Sequence, residues 1–144
     1  MGCVFCQAVE PGDDRERLVL CRSRHAMVIM NRYPYTNGHL LVMPQGHLSR
    51  LDDLEADAFG DLHQLVKHSL EILERILKPE AFNLGMNLGR SAGAGMAGHL
   101  HYHLVPRWDG DTNFMPIIAE TKVISQHIHE TYDCLKPSFD AIAI

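Results

Sequence analysis

The chain has 144 residues, enough for one domain with a real core and too few for two. Its net charge of -5 lacks the basic footprint of a nucleic-acid groove, although a single-nucleotide site needs only a few local donors. No apolar run reaches the roughly 18 residues of a membrane span, and no charged-then-apolar leader opens the sequence. Met1-Gly2-Cys3 resembles a lipidated start, but Cys6 stands where myristoylation wants Ser or Thr. The expectation is a cytoplasmic protein with no membrane or nucleic-acid partner. Its four cysteines are then reduced thiols or metal ligands rather than disulfides.

In chain order, Cys3-Val4-Phe5-Cys6 leads into the turn-rich residues 10–14. Residues 18–21 and 25–30 read as strands, Asn37-Gly38 as a turn, and 40–43 as an apolar strand stopped by Pro44. Leu54, Ala58, Leu62, Leu65, Val66, Leu73, Ile76 and Leu77 then recur at three- and four-residue steps, the single apolar face of one long helix. Asp52 and Asp53 suit its positive N-terminal end, and Pro79 marks its stop. Residues 81–88 read as a strand, 89–98 as a glycine-rich loop, 99–105 as an alternating strand, and 122–135 as a short helix. Strands, a long helix, strands and a short helix make an α+β fold with an antiparallel sheet.

His99-Leu100-His101-Tyr102-His103-Leu104-Val105 carries the chemistry. Alternation puts the three imidazoles on one face, about 7 Å apart, with Leu100, Tyr102 and Leu104 on the other. A polar solvent-facing strand or a row of metal ligands would share this pattern. A neutral imidazole is also a good nucleophile toward phosphorus, its neighbours can donate to phosphate oxygens, and a glycine-rich loop lets backbone N–H groups approach them. Cys3-x-x-Cys6 by itself is either a redox pair or half a metal site, and no βαβ context favours the redox use.

The histidine strand resembles the signature of the histidine triad (HIT) family. The likeness extends to Asn31-Arg32-Tyr33-Pro34, to Asn37-Gly38-His39-Leu40-Leu41-Val42-Met43-Pro44, to His47 and to Asp52-Asp53-Leu54. The run from Pro106 to Ile118 is similar to the bacterial diadenosine tetraphosphate phosphorylase and hydrolase branch.

The resemblance implies one HIT domain over residues 1–144, with a zinc-binding segment at 1–10. The sheet has one long helix and a short C-terminal helix, and is extended across a homodimer. It implies His101 as nucleophile on the α-phosphorus of an adenine nucleotide, with a covalent nucleotidyl-histidine. His103 and His39 would assist, and Asn31, Asn87, Ser91 and Gly95 would bind nucleotide and phosphate. Gly95 stands where many relatives carry Gln or Ser, so only its backbone can donate. Cys3, Cys6, His47 and His99 are the implied ligands of a structural zinc, with no organic cofactor. The implied substrates are dinucleoside polyphosphates; adenosine phosphoramidates, or a nucleotide-binding signalling role, are the alternatives. Arg107 and Lys122 could meet distal phosphates, but as single charges they read first as solvated surface. Cys21 and Cys134 read as small core residues, and His25, His63, His68, His127 and His129 as surface, the last two facing apart on a helix.

Overall fold

The computed structural model describes residues 2–96, 98–111 and 127–144. Two five-residue apolar strands, β2 (Ala26–Met30) and β3 (Leu40–Pro44), are buried at every position. Strands that hide both faces belong at the centre of a sheet. They lie there, between β1 (Val19–Arg22), β4 (Ala81–Gly85) and β5 (Tyr102–Arg107), in the order β1-β2-β3-β5-β4 with every pair antiparallel. The register aligns Val19, Ile29, Leu41, His103 and Gly85 in one row across the five strands.

Because side chains alternate, the two sheet faces receive different sets. Ala26, Val28, Met30, Leu40, Val42 and Leu104 pack beneath α3 (Ala56–Leu77) and the C-terminal helix α4 (Ile128–Asp140). Val19, Met27, Ile29, Leu41 and Met43 face the other way and meet only Phe5 and Ala8 of the short helix α1 (Val4–Val9) among the buried described residues. A single turn, α2 (Asp14–Arg17), joins α1 to β1.

The long helix begins later than its acidic signal suggests. Asp52 and Asp53 form a separate 3-10 turn at Leu51–Asp53, with Asp52 held by Arg50 at 2.6 Å, and Glu55 occupies the N-cap. Lys78, at φ 50°, ends the helix before Pro79. Strand β4 is shorter than read, and β5 begins at Tyr102, so His99 and His101 precede the ladder. Helix α4 runs on to Asp140, with Pro137 in its last turns; residues 122–126 of the expected helix lie outside the described residues. His127 is the extended N-cap rather than a helical residue, so its ring stacks on His129 at 5.4 Å instead of facing away. Cys21 is buried as expected, whereas Cys134 is exposed. Among the described residues no helix is long and apolar enough to cross a membrane.

Gly38 matters for the site. It takes φ 81°, and a Cβ there would strike Leu77 of α3, so the turn before β3 can press against the long helix. Thr36 donates to Pro106 O at 2.7 Å and fixes the same turn to β5. His39, at the turn's end, is thereby carried to the histidine strand.

Candidate active site and metal centre

The three strand histidines share a face, with Leu100 and Leu104 buried behind them. The His101 and His103 rings lie 5.0 Å apart, and those of His39 and His103 5.1 Å apart. The hydrogen bonds fix which nitrogens carry protons. His101 Nδ1 lies 2.9 Å from the His99 carbonyl, which only accepts, so Nδ1 donates and Nε2 of the neutral ring keeps its lone pair. Tyr35 N–H donates to His39 Nδ1 at 3.1 Å, so the proton of neutral His39 sits on Nε2. That Nε2–H donates to His103 Nδ1 at 2.9 Å, which leaves His103 with a proton on Nε2. One ring offers an electron pair and its neighbour offers a proton. Burial, with His101 beside it, holds His103 below the ordinary histidine range, so it is a neutral donor at pH 7.

Both rings open on a cavity of about 680 Å³. Its floor is Ile29 and Leu41, next to His103 in the cross-strand row, and one wall is Val4, Phe5, Gln7 and Ala8 of α1. Asn31, Arg32, Tyr33 and Tyr35 line it from the β2–β3 turn, and Gly93, Gly95 and Met96 from the glycine loop. Tyr35 lies 4.5 Å from the His39 ring and stacks on His103 at 5.9 Å. A larger hollow, about 830 Å³, lies at residues 49–52, Phe59 and Leu88-Gly89, but no histidine lines it.

Asn31 lines the cavity, with its amide 3.5 Å from both His39 nitrogens and its Oδ1 accepting from Tyr33 N–H at 2.9 Å. Gly95 lines the cavity, and nothing lies within 4 Å of a Cβ built there. Asn87 and Ser91 are not brought into the lining. Asn87 packs its amide against Gly93, and Ser91 is exposed on the 3-10 turn Arg90–Ala92. Arg107 is occupied elsewhere, bound by Asp111 at 2.6 and 3.0 Å and by Asn83 at 2.7 Å. Lys122 lies outside the described residues. Phe5 and Tyr35 were not singled out from sequence, though each sits beside a flagged residue. Phe5 lies inside the Cys-x-x-Cys pair, and Tyr35 lies four residues before His39.

Cys3, Cys6, His47 and His99 converge so that their ligand atoms all lie within 4.8 Å of one another, a group able to hold a metal ion. His99 donates through Nε2 to the Pro44 carbonyl at 2.8 Å, which turns its Nδ1 lone pair toward both sulfurs at 3.6 Å. His47 Nδ1 lies 3.2 Å from Cys6 Sγ. Burial and the neighbouring Cys3 thiol push the Cys6 thiol up, a cost that a bound cation would reverse. Gly98 permits the approach, since a Cβ there would stand 3.2 Å from His47 Nε2.

The HIT domain matches residues 14–110. An AP-4-A phosphorylase of Mycobacterium tuberculosis is 42% identical over 118 residues, 82% of this chain and 60% of that protein, so the chain spans about three-fifths of its length. An asymmetrical bis(5'-nucleosyl)-tetraphosphatase of Schizosaccharomyces pombe is 32% identical over 65% of this chain and 50% of its own. The solved structure of a hypothetical histidine triad nucleotide-binding protein from Sulfolobus tokodaii has a TM-score of 0.75 at 26% identity, covering 96% of this chain and 92% of that one. With the histidine strand, the antiparallel sheet and a family match over two-thirds of its length, the chain belongs to the HIT domain family.

Proposed function

We propose that this protein is a nucleotide hydrolase or phosphorylase that cleaves dinucleoside polyphosphates such as diadenosine tetraphosphate at the α-phosphorus. The observation that carries the reading is the opposed proton placement on adjacent rings, a lone pair on His101 Nε2 and a proton on His103 Nε2. His101 Nε2 forms the N–P bond while the P–O bond to the leaving polyphosphate breaks, giving an adenylylated histidine. His103 Nε2–H donates to a phosphate or leaving-group oxygen, and His39 holds His103 in that tautomer. Asn31 meets the ribose, and the backbone of Gly93 and Gly95 approaches the phosphates. Water then gives hydrolysis, and inorganic phosphate gives phosphorolysis. The relatives named AP-4-A phosphorylase and asymmetrical tetraphosphatase support this substrate class.

The metal of the Cys3, Cys6, His47 and His99 group is zinc in this proposal. Two thiolates and two imidazoles suit it, and Zn–S near 2.3 Å with Zn–N near 2.0 Å spaces tetrahedral ligands about 3.5 Å apart. The observed sulfur–nitrogen separations of 3.2 to 3.6 Å fit. Bound there, zinc supplies a closed structural crosslink between the N-terminal segment and the histidine strand. Residues 1–144 then form one domain with residues 1–10 as its metal-binding segment. The same proposal includes a homodimer through the edge strand β4, whose Leu84 is 48% exposed and whose neighbour Leu88 is 51% exposed. A cytoplasmic location accords with four unpaired cysteines.

The test is product analysis by mass spectrometry after incubation with diadenosine tetraphosphate, with and without inorganic phosphate. AMP plus ATP without phosphate establishes the hydrolase, and ADP plus ATP only with phosphate establishes the phosphorylase. No turnover under either condition overturns the substrate assignment.

A further inference from the structure

Phe5 stands between the two centres. In sequence it is flanked by Cys3 and Cys6; in space its ring meets His99 edge-on at 5.5 Å and His101 at 5.1 Å. It is 7% exposed and forms part of the α1 wall of the histidine cavity. Helix α1 has six residues, well short of the roughly 12 to 15 that a helix needs to persist unaided. Its C-terminal end is fastened by Arg17 to the Gln7 and Glu10 carbonyls and by Arg22 to the Ala8 carbonyl. Among the described residues its N-terminal end has no comparable side-chain fastening, and the N-cap Cys3 makes no side-chain capping bond. There the chain is secured by packing of Phe5 and by the convergence of Cys3 and Cys6 on His47 and His99.

We propose that Phe5 is a positioning residue through which metal occupancy of the cysteine–histidine group sets nucleotide affinity and the orientation of His101. The nucleotide part rests on the function proposed above. With the group loaded, Cys3 and Cys6 are drawn into one ligand shell, and the residue between them is pressed against the His101 ring. The same shell holds the His99 ring, whose backbone carbonyl receives the His101 Nδ1 proton. Unloading releases both constraints together. The N-terminal half of α1 frays, the cavity loses Val4 and Phe5 as a wall, and His101 loses the ring that limits its rotation.

The experiment compares zinc-loaded wild type, chelated wild type, and Phe5→Leu with and without zinc. AMP affinity is read by calorimetry, and the His101 Cε1–H resonance by NMR. Phe5→Leu should retain one zinc per chain, because it removes no ligand. Its AMP affinity should fall about tenfold, as in chelated wild type, and chelating the variant should add less than about twofold, the non-additivity of two changes on one link. Its kcat for diadenosine tetraphosphate should fall alongside the affinity, because His101 orientation is lost too. The His101 resonance should move on chelation and in Phe5→Leu alike, with no nucleotide present.

Equal chelation losses in variant and wild type would overturn the proposal. So would an unchanged His101 resonance in either unloaded wild type or Phe5→Leu. A wild type that fails to bind AMP while its His101 resonance still follows zinc would sink the nucleotide reading and uphold the Phe5 link.

Discussion

The two faces of the sheet are built from the same strands and used differently. The helical face buries Leu62, Leu65, Val66, Ile72 and Leu73 of α3 with Tyr132, Leu135 and Phe139 of α4 over the strands. Among the described residues the opposite face is covered by a six-residue helix, and its strip along β5 and the segment just before it carries His101 and His103 in place of apolar side chains. An apolar lid over the whole second face would bury more surface, but it would leave nowhere for a ligand to meet the histidines. Stability is concentrated on one side so that the other can stay open.

The division between the faces is tested most strongly at Leu73, which is fully buried on the helical face. Leu73→Ala should cost about 2–5 kcal/mol in urea unfolding while leaving turnover per folded molecule unchanged. A loss of turnover in the folded fraction would show that the faces are not separable. On the site face, His39→Gln should lower turnover about 10²-fold with little loss of stability, because the His103 proton is then no longer directed. Equal loss of stability and turnover would make His39 a core residue only.

A smaller effect separates the faces by pH. His103 is held below 6.5 by burial, with His101 beside it; His39 and Tyr35 also face it from the turn before β3. The unfolded chain therefore takes the proton first as pH falls. The stability this group contributes is full above 6.5 and is lost as pH drops through the lower folded value. Urea midpoints at pH 7.5 and 5.5 should differ less in His103→Gln than in wild type, and an equal difference would remove His103 from the account. The smallest change is expected at Gly95, where a side chain meets open space in the cavity. Gly95→Ser should leave the melting temperature unchanged, and its added hydroxyl should tighten AMP binding about 3- to 10-fold. Weaker binding would place the phosphate elsewhere.

The helical face was legible because its signals are long. Seven apolar positions from Ala58 to Leu77, over more than five turns, mark α3, and two uninterrupted apolar runs mark β2 and β3 as central. The histidine row was legible because every-second spacing puts His99, His101 and His103 on one side of an extended chain, although only His103 lies within β5. The site face was harder to read where its elements are short. Six residues cannot display a helical period, so α1 went unread, and with it the place of Phe5 as a cavity wall. Arg107 could not be settled from its charge alone, because its carboxylate partner Asp111 stands four residues along and is reached through the turn after β5. Asn87 and Ser91 came from the family resemblance alone, and the loop that carries them follows a path set by the positive-φ glycines 89 and 93, which composition does not reveal.

In the function proposed above, the open face presents the His101 lone pair to phosphorus. The most direct measurement is a rapid acid-free quench of zinc-loaded protein with diadenosine tetraphosphate, followed by peptide mass spectrometry. An AMP adduct should appear on the peptide carrying His101, localised to that residue, and should be absent from His101→Ala, which should also lose turnover by at least about 10³-fold. An adduct on His103, or sustained turnover by His101→Ala, would contradict the account.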